Sequence, residues 1–395
     1  MATWLGKALL LAVAVLQAGC GGKAEAPPIR IGHLSPRSGP DKAVGQSARR
    51  GILLAVEEAN KAPEDRGAGR PVMVWHTDTH GDPQAFGAEA TRLVSVNRVA
   101  ALIGGRDADE IKEFKRLDRA GVLLISPAGL VNQSLAGSAV FFTGLSPAQQ
   151  GQALARFAAQ KGFGHVLILA SDQDQGERCR VLADAFKDSF PQAWAKDHPK
   201  EKPAVTGPWH YGKDPTIQDR AEALRKELAR AEGKKGAKPD AVLVAGKPAD
   251  VKKLRQELGP VKLPVLFGGH EGSLKDLLEE ADTRSGVWLA TAFAPDAGTD
   301  RVKEFIQRFK DRFGEEPDVH AALAYDSARL LFRAMRQAKA SSGEPVHKEL
   351  DGLKDYASLT GPLCFDKNQQ AQRAVFIMQL EGGKATTAKR YPPGP

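Results

Sequence analysis

Short apolar runs, each closed by glycine or proline, recur along the chain, and the polar stretches between them carry apolar residues at helical spacing. Two such runs organise the rest: 99–103 ends in Gly104-Gly105, and 122–125 ends in Ser126-Pro127-Ala128-Gly129, with a charged segment from Arg106 to Arg119 between them. A run that is apolar at every position fits a strand covered on both faces, which is the habit of parallel sheets. The pattern predicts strand, loop, helix, strand, loop. Both loops then leave the carboxyl ends of neighbouring strands, where open α/β sheets bind ligands. Asp107 and Glu110 stand at capping-box spacing, so the helix between the strands would turn its amino terminus toward the same crevice.

The rhythm repeats on both sides of this stretch. Strands are predicted at 29–34 and 72–75, with helices at 46–60 and 84–97. A second series follows Gly144, with strands at 166–170, near 205–210, at 241–245 and at 265–267, and helices at 147–161, 175–190, 215–232 and 248–258. Strands alternating with helices indicate parallel sheets, and two series indicate two α/β lobes. The polar run 192–202 reads as an exposed connection, and the last third adds helices at 300–313, closed by Gly314, and at 318–338.

Residues 1–19 stand apart from this rhythm and read as a signal peptide: Lys7, an apolar run over 8–16, then Gln17-Ala18-Gly19 before Cys20. The run is too short to span a bilayer. Ala18-Gly19-Cys20 resembles the lipobox of bacterial lipoproteins, with Gln17 where that pattern prefers Leu, and it makes Cys20 the expected lipidation site. Residues 20–28 would then be a lipidated, flexible tether.

Composition adds little beyond size and compartment. At 395 residues and 42% hydrophobic content the chain can bury two cores. The net charge of +8 comes from 56 basic and 48 acidic residues scattered over helix faces, the densest cluster being Lys234-Lys235 with Lys238, so the surface reads as solvated and not as a nucleic-acid face. Cys179 and Cys364 fall in segments expected to lie apart.

Catalytic and metal motifs were weighed and set aside. His76-x-Asp78-x-His80 alternates on one strand face but lacks further ligands, and His270-Glu271 is no zincin because Leu274 stands where the second His is required. Gly104-Gly105 lacks the dinucleotide spacing, and no nucleophile elbow occurs. The reading is a protein that is not an enzyme and holds neither metal nor cofactor.

The string FIQRFKDRFGEEPDVHAALAYDSARLL, residues 305–331, resembles the signature of type I periplasmic binding proteins, the leucine/isoleucine/valine-binding protein family. Phe309, Phe313, Gly314, Pro317, Ala321, Ala322, Tyr325 and Asp326 carry the match. Other segments agree in order: IRIGHLSPRSGP from 29, the Asp82-Pro83 helix start, IGG from 103, ISPAG from 125, TGLSPAQQG from 143, GGHEG from 268 and GPLCFD from 361. The resemblance implies two Rossmann-like lobes joined by three crossover segments, near 143–146, 289–293 and 359–365, with a ligand cleft between them. It divides the chain into lobe 1, 29–143 plus 293–358, and lobe 2, 144–292 plus 359–395. It further implies a monomeric, extracytoplasmic, lipid-anchored substrate-binding protein that closes on a small polar solute, such as an amino acid, amide or carboxylate, and delivers it to an ABC permease in the membrane. The alternative is a sensing or protein-interacting envelope lipoprotein of the same fold, because fold alone does not assign transport.

The family's amino-acid pocket is partly retained. Arg106 and Asp107 occupy the place of small hydroxyl residues, Leu130 replaces a Thr, and Gln175 replaces an aromatic ahead of Gly176. Glu271 matches the acidic residue that receives the ligand's amino group. The expected ligand contacts are therefore Ser38, Arg106, Asp107, Ala128, Gly129, Gln175, Lys247 and Glu271, with Arg106 placed for an anion or carboxylate and Asp107 equally suited to an N-cap.

Overall fold

The apolar runs become strands whose alternate residues feed different cores. In β1 (Ile29–Ser35), Ile29 and Ile31 join one core and Leu34 another; in β3 (Ala101–Gly104), Ala101 and Ile103 part from Leu102 in the same way. Double coverage is the reason β3 could be apolar throughout, whereas β1 keeps Arg30 exposed. The computed structural model describes residues 26–116, 121–137, 139–173, 176–231, 238–269, 273–279 and 286–393. The expected signal, Cys20, Gln175, Lys234-Lys235 and Glu271 lie outside the described residues.

The first sheet has the order β2-β1-β3-β4-β5 and is parallel throughout, with β2 at Val72–Asp78, β4 at Leu123–Ser126 and β5 at Val140–Phe142. Its helices are α1 (Lys42–Lys61), α2 (Pro83–Ser95) and α3 (Ala108–Lys115). The order reverses between β1 and β3, so the loops after Ser35 and Gly104 diverge and open a crevice.

The second sheet has the order β15-β14-β10-β9-β8-β6-β7. Its parallel part is β6 (His165–Ser171), β7 (Ala204–Tyr211), β8 (Ala241–Ala245), β9 (Val265–Gly268) and β10 (Val287–Thr291), wrapped by α4 (Pro147–Gln160), α5 (Gly176–Asp197), α6 (Ile217–Arg230), α7 (Pro248–Leu258) and α8 (Ser273–Glu279). The chain then returns to the first sheet with α9 (Asp300–Phe313), α10 (Val319–Ala338) and α11 (Glu344–Asp351), α10 packing along α1. A small sheet of β11 (Tyr356–Ser358), β12 (Gly361–Phe365) and β13 (Ala371–Gln372) leads back to the second sheet, which ends in the antiparallel hairpin β14 (Val375–Glu381) and β15 (Lys384–Tyr391). The chain thus crosses between two α/β lobes three times.

Three elements depart from the sequence reading. The run 192–202 is not simply a connection: α5 continues to Asp197 through Pro191, because Phe186, Phe190 and Trp194 follow each other one turn apart and all are buried. Residues 289–291 of the crossing expected near 289–293 belong to β10 (Val287–Thr291). The terminal hairpin was not anticipated, although Gly382-Gly383, both at positive φ, supply the turn that two-residue hairpins favour.

The crossings are tied by buried polar contacts. Arg373, 2% exposed, donates from Nη1 to the Thr143 carbonyl at 2.8 Å and from Nη2 to the Asp326 carboxylate and the Thr360 hydroxyl, each at 3.2 Å. Asp326 also accepts from the Leu359 N–H at 3.0 Å, and the Thr143 and Ser327 hydroxyls meet at 2.7 Å. Burial pushes the Asp326 carboxyl up, and Arg373 opposes that push.

Candidate functional site

A cavity of about 110 Å³ opens between the lobes at the first sheet's switch point. Its walls are the end of β1 (His33, Leu34, Ser35), the first half of α1 (Val44, Gly45, Ala48), Gly104 and Arg106 after β3, Pro127 and Ala128 after β4, and His320 and Leu323 of α10; Arg178 of α5 closes it from the second lobe. The loops can come this close because glycine stands at the contacts. Gly104 and Gly105 have φ of 148° and 80°, and a Cβ on Gly129 would lie 1.9 Å from the Leu145 carbonyl oxygen.

The cavity's charge is uneven. Arg106 pairs with Asp41 at 3.1 Å, while its Nε is buried without a partner among the described residues. Arg178 is 5% exposed and meets no carboxylate among the described residues: Nε donates to the Gly269 carbonyl and Nη1 to the Gly129 carbonyl, both at 3.3 Å. That guanidinium bridges the two lobes. Next to it, Asn132 of lobe 1 donates to Glu177 of α5, and the Leu130 N–H donates to Gln370 at 2.6 Å. The floor is His33, whose Nδ1 lies 2.8 Å from Nδ1 of His76. Burial first, then the charges of His76, Arg49 and Arg37, hold His33 well below the usual imidazole range, and burial with the two arginines lowers His76 to about 4. The site therefore offers two guanidiniums against one carboxylate, and that carboxylate is already engaged.

The expected contacts divide. Arg106 and Ala128 line the cavity, and the carbonyl of Gly129 holds Arg178. Asp107 caps α3, accepting from Asp109 N–H at 3.0 Å and Glu110 N–H at 2.9 Å, and borders a smaller void behind the cleft with Ala108 and Val131. The reciprocal half of the box goes elsewhere: Glu110 accepts from the Arg106 N–H at 2.7 Å. Ser38 stands outside the cavity wall, its hydroxyl 2.7 Å from His80 Nδ1. Lys247 lines a separate cavity of about 280 Å³ at the carboxyl edge of the second sheet, with Ser171, Tyr211, Lys213, Thr216 and Lys253. His33, Arg178 and His320 were missed. Only His33 left a signal, as a polar residue between Ile31 and Leu34 on positions that read as buried.

Comparisons with known proteins agree with this architecture. The sequence profile described as periplasmic binding protein matches residues 28–207 and 227–385. The Leu/Ile/Val-binding protein homolog 7 of Brucella abortus is 24% identical over 409 aligned positions, covering 97% of this chain and 96% of its own. Among solved structures, the branched-chain amino acid transporter substrate-binding protein LivJ of Streptococcus pneumoniae, in complex with isoleucine, superposes with a TM-score of 0.73 at 23% identity, covering 93% of this chain and all of its own, 100%. A solute-binding protein of an ABC transporter from R. palustris, in complex with benzoate, gives 0.70 at 18% identity, with 93% and 97% covered. The chain belongs to the periplasmic binding protein family and has the two-lobe fold of its type I members. Proteins of this family are extracytoplasmic, bind small molecules in the service of ABC transporters, and are not enzymes.

Proposed function

We propose that this protein captures a small carboxylate-bearing solute in the interlobe cleft and delivers it to an ABC importer. The observation that carries the reading is the unbalanced charge of the cavity: Arg106 and Arg178 face it, and Asp41, its one carboxylate among the described lining residues, is already paired. Guanidinium groups in a half-dry cleft suit a planar carboxylate, whose two oxygens match their fork of N–H donors. That isoleucine and benzoate are the solutes in the two related structures supports the class and leaves the side group open. If the solute is an amino acid, Glu271 is the residue proposed to receive its amino group.

A thermal-shift screen of the chain from residue 23 onward tests this, because a ligand that binds only the folded state raises Tm by mass action. Leucine, isoleucine, benzoate and hydroxylated benzoates are compared with the matching amides and sugars. A shift confined to carboxylates is expected; a shift from sugars or amides alone would overturn the reading. Anchoring at Cys20 is proposed alongside, and Cys20→Ser is expected to move the protein from the membrane fraction to the soluble one.

A further inference from the structure

The parallel register sets His33 of β1 opposite His76 of β2, side by side on one face of the sheet. Their rings meet edge to face at 89°, and their Nδ1 atoms are 2.8 Å apart. At that separation the two nitrogens must share one proton, since two lone pairs repel and two N–H groups collide. One ring donates from Nδ1. The other accepts at Nδ1, and when neutral it carries its own proton on Nε2.

The surroundings decide which ring is which. His76 Nε2 is buried with no partner among the described residues, so a proton placed there would have no acceptor. His33 Nε2 also has no protein partner among the described residues, but His33 lines the cleft cavity, where an N–H can find an acceptor in a bound solute. The groups around the pair are Arg37 on the loop after β1, Arg49 on α1, and across the cavity Arg106, Asp41, Arg178 and His320. None offers a free carboxylate, because Asp41 is held by Arg106.

We propose that His33 contacts the solute as a neutral hydrogen-bond donor through Nε2, and that His76 is the positioning residue whose Nδ1–H fixes the tautomer that makes this possible. The proposal rests on the cleft reading above and adds to it a third donor beside the two arginines. It also explains why a histidine stands buried in the middle of β1. The depressed protonation of both rings fits a pair that stays neutral through the physiological range.

The test begins without ligand. Long-range 1H–15N spectra of the histidine side chains in the wild-type protein are expected to show His33 with its proton on Nε2 and His76 with its proton on Nδ1; the reverse assignment overturns the proposal. Benzoate and leucine are then titrated in as probes, and the His33 Nε2 resonance is expected to move with whichever binds. A bound probe that leaves it unmoved overturns the contact. His76→Gln keeps an N–H donor beside His33, whereas His76→Leu removes it and leaves the His33 tautomer unfixed, while burial and the charges of Arg49 and Arg37 still hold the ring neutral.

With folding confirmed by thermal melts, the Gln variant is expected to bind like wild type at about pH 5.5 and about pH 8. The Leu variant is expected to bind about fivefold more weakly at both, the value of one hydrogen bond. Equal behaviour of the two variants overturns the positioning role. A wild-type protein that binds neither probe overturns the carboxylate reading of the cleft and the contact with it, while the tautomer assignment, read without ligand, is judged separately.

Discussion

Buried arginines occur at both the hinge and the cleft, and they are treated differently. At the hinge, Arg373 faces Asp326 with both groups almost fully buried, and backbone and hydroxyl partners complete the set. In the cleft, Arg178 is nearly as buried but among the described residues meets only two backbone carbonyls, and Arg106 keeps an Nε without a partner among them. A buried charge without a counter-charge is costly, and structures keep one where something else will supply the balance. The hinge pair holds shape; on the proposed function, the cleft cations are the groups that receive the solute's carboxylate.

The largest expected effect breaks the hinge side. Asp326→Ala leaves Arg373 buried and unpaired, and should lower unfolding stability by about 3–5 kcal/mol in denaturant titrations. Arg178→Leu should do the opposite kind of damage: carboxylate affinity by calorimetry falls roughly tenfold to hundredfold, the worth of a hydrogen bond to a charged group, with a smaller stability loss than at Asp326. Equal stability losses in the two variants would erase the distinction between hinge and cleft.

The smallest effect concerns Glu110, whose carboxylate accepts from the backbone of Arg106 beneath the cleft. Burial first, and the charge of Asp107 second, raise this carboxyl to about 7 from an ordinary 4.5, against the pull of Arg106. Between those values the folded state holds more protons than the unfolded one, so stability falls as pH rises through that window and levels off above it. Glu110→Gln keeps the acceptor for the Arg106 N–H and cannot ionise. Its melting temperature should gain on wild type as pH rises from about 4.5 to about 7 and stay parallel above, and a constant difference would show that Glu110 is not buried in its charged form.

How far the chain could be read in advance follows from the range of each interaction. The strands around 99–104 and 122–126 were legible because burial on both faces demands apolar residues at every position, and the cap at Asp107 because it is formed by neighbours three residues away. Arg106 was legible as a cleft residue from its place after a strand at the switch point. Its partner was not: Asp41 holds it, across 65 residues of sequence. Ser38, expected at the ligand, instead meets His80, a contact set by the β1–β2 pairing.

The sequence by itself determined the two α/β lobes, the alternation of strands and helices that builds most of each, and the family, since periodicity, turn residues and local motifs are all encoded within a few residues of where they act. Only the tertiary structure decided which charges face the cleft. Register put His33 beside His76, the second lobe brought Arg178 against Gly129, and the return of the chain set Arg373 on Asp326, because each contact joins residues from separate strands, helices or lobes whose distance no local pattern records.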